Sequence, residues 1–464
     1  MKKYLLIRKK YPNFYYQGYR FWIENNDLII NFYYDLHNSF KFLHKIKIKN
    51  IERKRIQKIP KELLENLIFN LGIAEILNYW KAFSSQNIFI PYHLEKEQIN
   101  FWEKFFIEGM GQYFYENGIN FKENNFINFF IGEENNFQKH KIELSPNFLL
   151  ALGEGKDSIV SLELLKKYLK EDFQKKLSIF IVNPTLLHFS IINQSFVKKH
   201  IFVERKLDKQ ILKLNQSGFL NGHIPITGVL SFLISLCGVI FDYQNLIFSN
   251  ERSAEEGNLK YLGKIINHQW SKSYEFENLF RQYLNNYLIE NLNFFSFLRP
   301  LYEIQIAKIF TNFSQYFNKF SSCNVVKTNA FLNKNVRWCG KCPKCLFVFT
   351  MLYGFLGKEK VSEIFGKNLF EDRELIELSK KLLGLKSFKP FECVGTKKEI
   401  KAAFYLSLKK AVEENYIPIV LKSLEKEILK YKNDLSILNS WSDSNNLPKE
   451  LAEFLKKEIN NYDR

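Results

Sequence analysis

The stretch Phe148–Lys166, FLLALGEGKDSIVSLELLK, limits the possible folds more than any other part of the chain. Phe148 to Leu152 is an unbroken apolar run, the pattern of a strand buried on both faces of a parallel sheet. The small polar turn Gly153–Ser158 ends it, after which Ile159, Val160, Leu162, Leu164 and Leu165 recur at helical spacing. A strand, a glycine turn and a helix start in succession make an anion site. The first-turn N–H groups point outward without intrahelical partners, and the helix dipole favours negative charge. Ordinary strand-to-helix connections also carry glycine, so the turn alone leaves a structural reading open.

The same alternation continues after residue 147. Phe148–Leu152, Leu177–Val182, His200–Val203 and Asn245–Phe248 are strand candidates, with helices expected over Ser158–Leu169 and Thr227–Phe241. That is the pattern of an α/β, doubly wound parallel sheet, whose site lies at the carboxyl ends of the strands. Residues 1–58 predict a small antiparallel β subdomain, with strands at Tyr4–Ile7, Gly18–Ile23, Leu28–Tyr34 and Phe40–Ile48. Residues 59–143 predict a helical subdomain opened by Pro60, with Leu63, Leu64, Leu67, Ile68 and Leu71 on one face. The α/β domain is expected over 144–320, a cysteine knuckle over 321–350, and a helical C-terminal region over 351–464.

A chain of 464 residues has ample length to bury a core. Its net charge of +18 points to polyanionic partners, or to lysines spread over solvated helix faces. The amino-terminal MKKYLLIRKK is too short in apolar residues for a signal sequence. The longest uncharged run, Asn215 to Phe241, is broken by polar residues, leaving Gly228–Phe241 as a buried helix rather than a membrane span. Six cysteines, four of them bunched, do not make a secreted disulfide framework. A cytoplasmic protein without membrane insertion is expected, and the sequence leaves its oligomeric state open.

Several residues carry candidate chemistry. Lys156 can neutralise a phosphate, and Asp157 can bind a magnesium ion bridging phosphate oxygens. Ser158 can donate to a phosphate or cap the helix. His223, between Gly222 and Ile224-Pro225 ahead of the long apolar helix, is placed for a phosphate or a proton, or for a structural role. Ser249–Ser253 follows the strand Asn245–Phe248 and should share the sheet edge of the glycine turn. There Glu251 can hold magnesium and Arg252 can clamp an anion. The segment His268–Ser273 with Glu275 and Glu277 is a further polar cluster. Cys323, Cys339, Cys342 and Cys345 have the spacing of a four-thiolate zinc site, structural because it leaves no ligand position open. Cys393 stands apart, as a buried inert thiol or as an acid–base group.

The hexapeptide GEGKDS at 153–158 resembles the SGGKDS-type loop of the ATP pyrophosphatase superfamily, whose members cleave ATP to AMP and pyrophosphate. Glu154 departs from the glycine usual there. Beside phosphate it must point away or help hold a metal. Together with LGIAEILNYWKAF (71–83), NGHIPIT (221–227), SNERSAEEGN (249–258), NHQWSKSYEFE (267–277), LRPLYEIQIA (298–307), RWCGKCPKCLFVF (337–349) and FECVGT (391–396), the chain resembles the MurL family of UDP-N-acetylmuramoyl-L-alanyl-L-glutamate epimerases. The resemblance runs from about residue 60 to about residue 400. The cysteine knuckle also resembles that of 7-cyano-7-deazaguanine synthase.

The resemblance implies a sheet of the ATP-pyrophosphatase type and a step in peptidoglycan precursor synthesis. The terminal L-glutamate of UDP-MurNAc-L-Ala-L-Glu would be inverted through an acyl-adenylate, with ATP converted to AMP and pyrophosphate. On this reading Gly153, Gly155, Lys156, Asp157 and Ser158 bind ATP with Mg2+. Glu251 and Arg252 serve the metal and an anionic group, His223 and Cys393 are acid–base candidates, and the four clustered cysteines hold a structural Zn2+. Nucleic acid is then an unneeded partner. Two alternatives are a pyrophosphate-loop enzyme that modifies tRNA or a nucleobase by adenylation, and a non-catalytic nucleotide-binding scaffold.

Overall fold

The computed structural model describes residues 2–36, 39–328, 336–386 and 389–461. Ten strands form one sheet: β1 (Asn13–Glu24), β2 (Asp27–Asp35), β3 (Lys41–Ile48), β4 (Asn87–Ile90), β5 (Asn128–Ile131), β6 (Phe148–Ala151), β7 (Leu177–Val182), β8 (His200–Lys206), β9 (Asn245–Phe248) and β10 (Asn293–Ser296). Their spatial order is β10-β9-β6-β7-β8-β3-β2-β1-β4-β5. From β10 to β8 every neighbouring pair is parallel. The chain leaves β6 towards β7 and β8, then returns to the other side of β6 for β9 and β10. The carboxyl ends of β6 and β9 therefore flank the point where the winding reverses, where open α/β sheets bind ligands.

Alternation along each buried strand builds two cores. Leu149, Leu246 and Phe294 face one, and their successors Leu150, Ile247 and Phe295 face the other. On the first face lie α1 (Lys61–Glu75) and α3 (Ile226–Phe241); on the second lie α2 (Lys156–Leu169), α4 (Glu303–Phe310), α5 (Pro343–Phe365) and α6 (Lys397–Glu413). Helix α3 is buried from Thr227 to Ile240 apart from Leu230, which suits its apolar composition. At Gly228 a β carbon would stand 2.5 Å from a ring carbon of Phe105, so only glycine permits that approach. No helix among the described residues is long and apolar enough to cross a membrane.

The structure departs from the sequence expectation in several places. Tyr4–Ile7 lies in a helix, Lys3–Lys10, because Tyr4 and Arg8, one turn apart, are its buried face; Arg8 donates inward to the carbonyls of Ser84 and Phe126. The N-terminal strands are joined to the parallel half, since β3 pairs antiparallel with β8 (Ile48 opposite Val203). Within 59–143, β4 and β5 add two short parallel strands at the far edge. Four residues each are too few for a period-2 pattern to stand out.

Candidate active site

The turn after β6 starts α2 at Lys156, with Gly155 as N-cap contributing no side-chain cap. Gly155 has φ −89°, so its backbone does not require glycine. What glycine provides is room: an added β carbon at Gly153 or Gly155 would meet nothing nearer than 3.8 and 3.9 Å respectively. Such a cradle, lined by backbone at a helix start, suits phosphate. Ser158 lies three residues past the N-cap, inside the first turn of α2. Its hydroxyl lies 2.9 Å from the Gly153 carbonyl and 3.0 Å from that of Gly155, to which it donates, bracing the turn. Glu154 points away from the cradle: its carboxylate accepts from the Thr185 hydroxyl and lies 3.4 Å from His188 Nδ1, while its carbonyl accepts from Ser321 N–H.

In front of the turn three carboxylates, Asp157, Glu251 and Glu303, bring one oxygen each within 4.8 Å of one another. Oxygens around an octahedral magnesium ion stand about 2.9 to 4.2 Å apart, so this trio fits such an ion with slight closure. Two ammonium groups interleave with it. Lys156 Nζ lies 2.5 Å from Asp157 and 2.9 Å from Glu303, and Lys344 Nζ lies 3.4 Å from the other Glu303 oxygen. Burial opposes the Glu303 charge, but Lys156 and Lys344 outweigh it and hold the carboxyl down at about 2. Glu251 is raised by burial, against Lys272, with Glu303 and Asp157 adding to the rise. The fully buried Arg299 donates to the carbonyls of Glu251 and Lys272 and so fixes both backbones.

Lys272 leads from the carboxylates to a second group. Its Nζ is 3.5 Å from Cys393 Sγ, which also lies 3.8 Å from His268 Nε2. His268 Nδ1 lies 2.9 Å from the Asn258 side-chain oxygen. The rings of His223 and His268 are 5.9 Å apart between centroids. Burial first, then Lys272, pushes His223 down to about 4, whereas burial, His223 and Lys272 push His268 down to about 2; both imidazoles are neutral at physiological pH. Beside His223, Lys81 Nζ donates to the Gly222 carbonyl, and burial lowers that ammonium to about 8.

Arg252 goes elsewhere. Its guanidinium stacks over Tyr302, 4.5 Å from the ring centre, and lines a cavity of about 450 Å³ with Glu255, Arg299 and Thr396. The thiols of Cys323, Cys339, Cys342 and Cys345 converge, with Sγ–Sγ separations of 4.0 Å (323 to 342), 3.7 Å (339 to 345) and 3.4 Å (342 to 345). Zn–S bonds of 2.3 Å in a tetrahedron place sulfurs about 3.8 Å apart, so the four residues fit zinc. Backbone N–H groups of Lys341, Cys342 and Cys345 aim at these sulfurs, as a thiolate cluster requires.

Residues 7–297 match the family model described as the MurL N-terminal domain, and 319–435 match that of the MurL C-terminal domain. The chain belongs to the MurL family. Among curated relatives, a UDP-N-acetyl-alpha-D-muramoyl-L-alanyl-L-glutamate epimerase of Xanthomonas oryzae is 33% identical over 70% of this chain and 71% of its own length. One of the same description from Micromonospora is 33% identical over 72% and 73%, and one from Salinispora tropica is 38% identical over 56% and 55%. No solved structure matches the chain.

In this MurL-family protein the loop residues, Glu251, His223 and Cys393 share one region, and Arg252 borders a neighbouring cavity. Sequence reading missed Glu303, the first residue of α4, because the strand β10 that leads to it was not recognised in the aromatic run Asn293–Phe297. Lys272 stood in a polar cluster without an assigned role. Lys344 was hidden by its position between two knuckle cysteines.

Proposed function

We propose that this protein inverts the terminal L-glutamate of UDP-MurNAc-L-Ala-L-Glu to D-glutamate at the expense of ATP, which leaves as AMP and pyrophosphate. Family membership and the names of the relatives support the epimerisation and its substrate. The observation that carries the ATP-dependent part is the open glycine cradle of 153–155, backed by Asp157, Glu251 and Glu303, on the same sheet edge as the Cys393 and His268 pair. We assign the sheet to the ATP-pyrophosphatase type on the same basis.

An α-proton next to a free carboxylate is very hard to remove, because a second negative charge must build on the same framework. Joining that carboxylate to AMP neutralises it and lets the carbonyl accept the charge. In this assignment the first-turn N–H groups of α2 and Lys156 bind the phosphates, while Asp157, Glu251 and Glu303 would hold Mg2+. The metal, when bound, would neutralise phosphate charge. His223 and Cys393 stand as the proton-transfer groups, a positioned pair contributing about 10²–10⁴-fold. Zn2+ in the four-thiol cluster would fasten the knuckle, with Ser321 linking it to the turn through the Glu154 carbonyl.

The deciding experiment incubates the protein with ATP, magnesium and UDP-MurNAc-L-Ala-L-Glu, followed by chiral analysis of the glutamate and assay of pyrophosphate. D-Glutamate formed only with ATP, accompanied by pyrophosphate, is the expected outcome. Inversion without nucleotide, or none at all, contradicts the proposal.

A further inference from the structure

Asn258, His268, Lys272 and Cys393 come from three separated segments, yet they form one hydrogen-bonded unit beside the carboxylates. The Asn258 side-chain NH2 donates to the Pro390 carbonyl at 2.9 Å, which turns its oxygen towards His268. That oxygen accepts from the His268 backbone N–H at 3.1 Å and faces His268 Nδ1 at 2.9 Å. An amide oxygen can only accept, so Nδ1 carries the proton and the Nε2 lone pair is left facing Cys393. From the other side the Lys272 ammonium reaches Cys393 Sγ. The main-chain carbonyl of Cys393 accepts from Lys344, which ties the thiol segment to Glu303.

This surrounding suits both protonation states of one sulfur. A thiolate is met by the ammonium of Lys272; a thiol can donate to His268 Nε2. Burial opposes the Lys272 charge, but Cys393, then Glu251, hold it above its ordinary range. The amide behind His268 does not favour an imidazolium as a carboxylate would, so Lys272 rather than His268 is the counter-ion.

We infer that Cys393 is the base that removes the glutamyl α-proton, with Lys272 holding it as thiolate and Asn258 and His268 positioning it and receiving its S–H. In this step the Cα–H bond breaks and an S–H bond forms. The electron pair from carbon moves onto the oxygen of the activated carbonyl. A proton from solvent water, delivered to the opposite face, re-forms Cα–H as the enolate pair returns to carbon. Cys393 gives up its proton to solvent, and hydrolysis of the acyl–AMP bond releases AMP and the D-glutamyl product. The inference rests on the acyl-adenylate reading above, and Lys272, Asn258 and His268 are positioning residues in it.

The test measures two half-reactions separately. With Cys393→Ser, pyrophosphate release from ATP and UDP-MurNAc-L-Ala-L-Glu persists, while D-glutamate formation and deuterium uptake at Cα from heavy water fall by about 10²–10⁴-fold. Inversion at the wild-type rate overturns the assignment, as does equal loss of both half-reactions in a variant with unchanged thermal midpoint. Absence of pyrophosphate in the wild type would instead overturn the parent reading, so the two failures are distinct. For the pairing itself, alkylation of Cys393 by iodoacetamide at neutral pH is followed by mass spectrometry of the peptide that carries it. Lys272→Gln is expected to slow it by about tenfold or more through loss of thiolate. An unchanged rate overturns the role of Lys272.

Discussion

Lys344 Nζ lies 3.4 Å from Glu303 Oε1, although Lys344 sits between two cysteines of the thiol knuckle and Glu303 opens a helix behind the sheet. The knuckle therefore delivers a charge to the carboxylate trio. Where the cluster holds the zinc proposed above, Lys344→Gln is expected to keep that metal, read by release to a thiol reagent, while lowering the proposed pyrophosphate formation by about 10-fold or more. On the same proposal, removal of that zinc by a chelator should reduce both activity and thermal midpoint, since the same segment then loses its anchor.

Glu303 faces two buried ammonium groups, Lys156 and Lys344. Glu303→Gln leaves the buried Lys344 without its carboxylate and leaves Lys156 with Asp157 alone. Removing one member of a buried ion pair costs about 3–5 kcal/mol, and urea unfolding should show a loss of that size. A loss below about 0.5 kcal/mol, the range of ordinary surface substitutions, would show that the ammonium groups find other partners.

Gly155 separates folding from binding. Its φ of −89° and a clearance of 3.9 Å from an added β carbon to Ser322 allow alanine. Gly155→Ala should shift stability by no more than about 1 kcal/mol either way, since the smaller unfolded-state entropy is offset by the poorer capping of α2 by alanine. The new methyl group occupies the cradle, so nucleotide affinity measured by calorimetry should fall by about tenfold or more, equivalent to about 1.4 kcal/mol. Unchanged affinity would remove the turn from phosphate binding.

Glu75 is buried with Arg205, which contacts it through two nitrogens at 2.7 and 2.6 Å, and with His44 at 3.4 Å. Burial opposes its charge, yet Arg205 and then His44 outweigh burial and hold the carboxyl well below the usual carboxylate range. A depressed folded-state pKa gives stability that is present above the unfolded value of about 4.3 and is lost as pH falls. Glu75→Gln should therefore be about 3–5 kcal/mol less stable than wild type at pH 7, with the gap narrowing below about pH 4.3. A gap independent of pH would assign the loss to packing alone.

The parts of this protein written in its sequence are the local ones. An apolar run followed by a glycine turn and a helical period sufficed for β6 and α2, because strand burial and helix periodicity depend on residues close together in the chain. Likewise the Cys-x-x-Cys-x-x-Cys spacing foretold converging thiols, since a tight turn brings them together by itself. Tertiary structure alone decided that Glu303 joins Asp157 and Glu251, that Arg252 faces another cavity, and that Lys272 and His268 meet Cys393. Those contacts join positions far apart in the chain. Sheet order and the packing of its two faces create them, and no periodicity along the chain encodes which loops will meet.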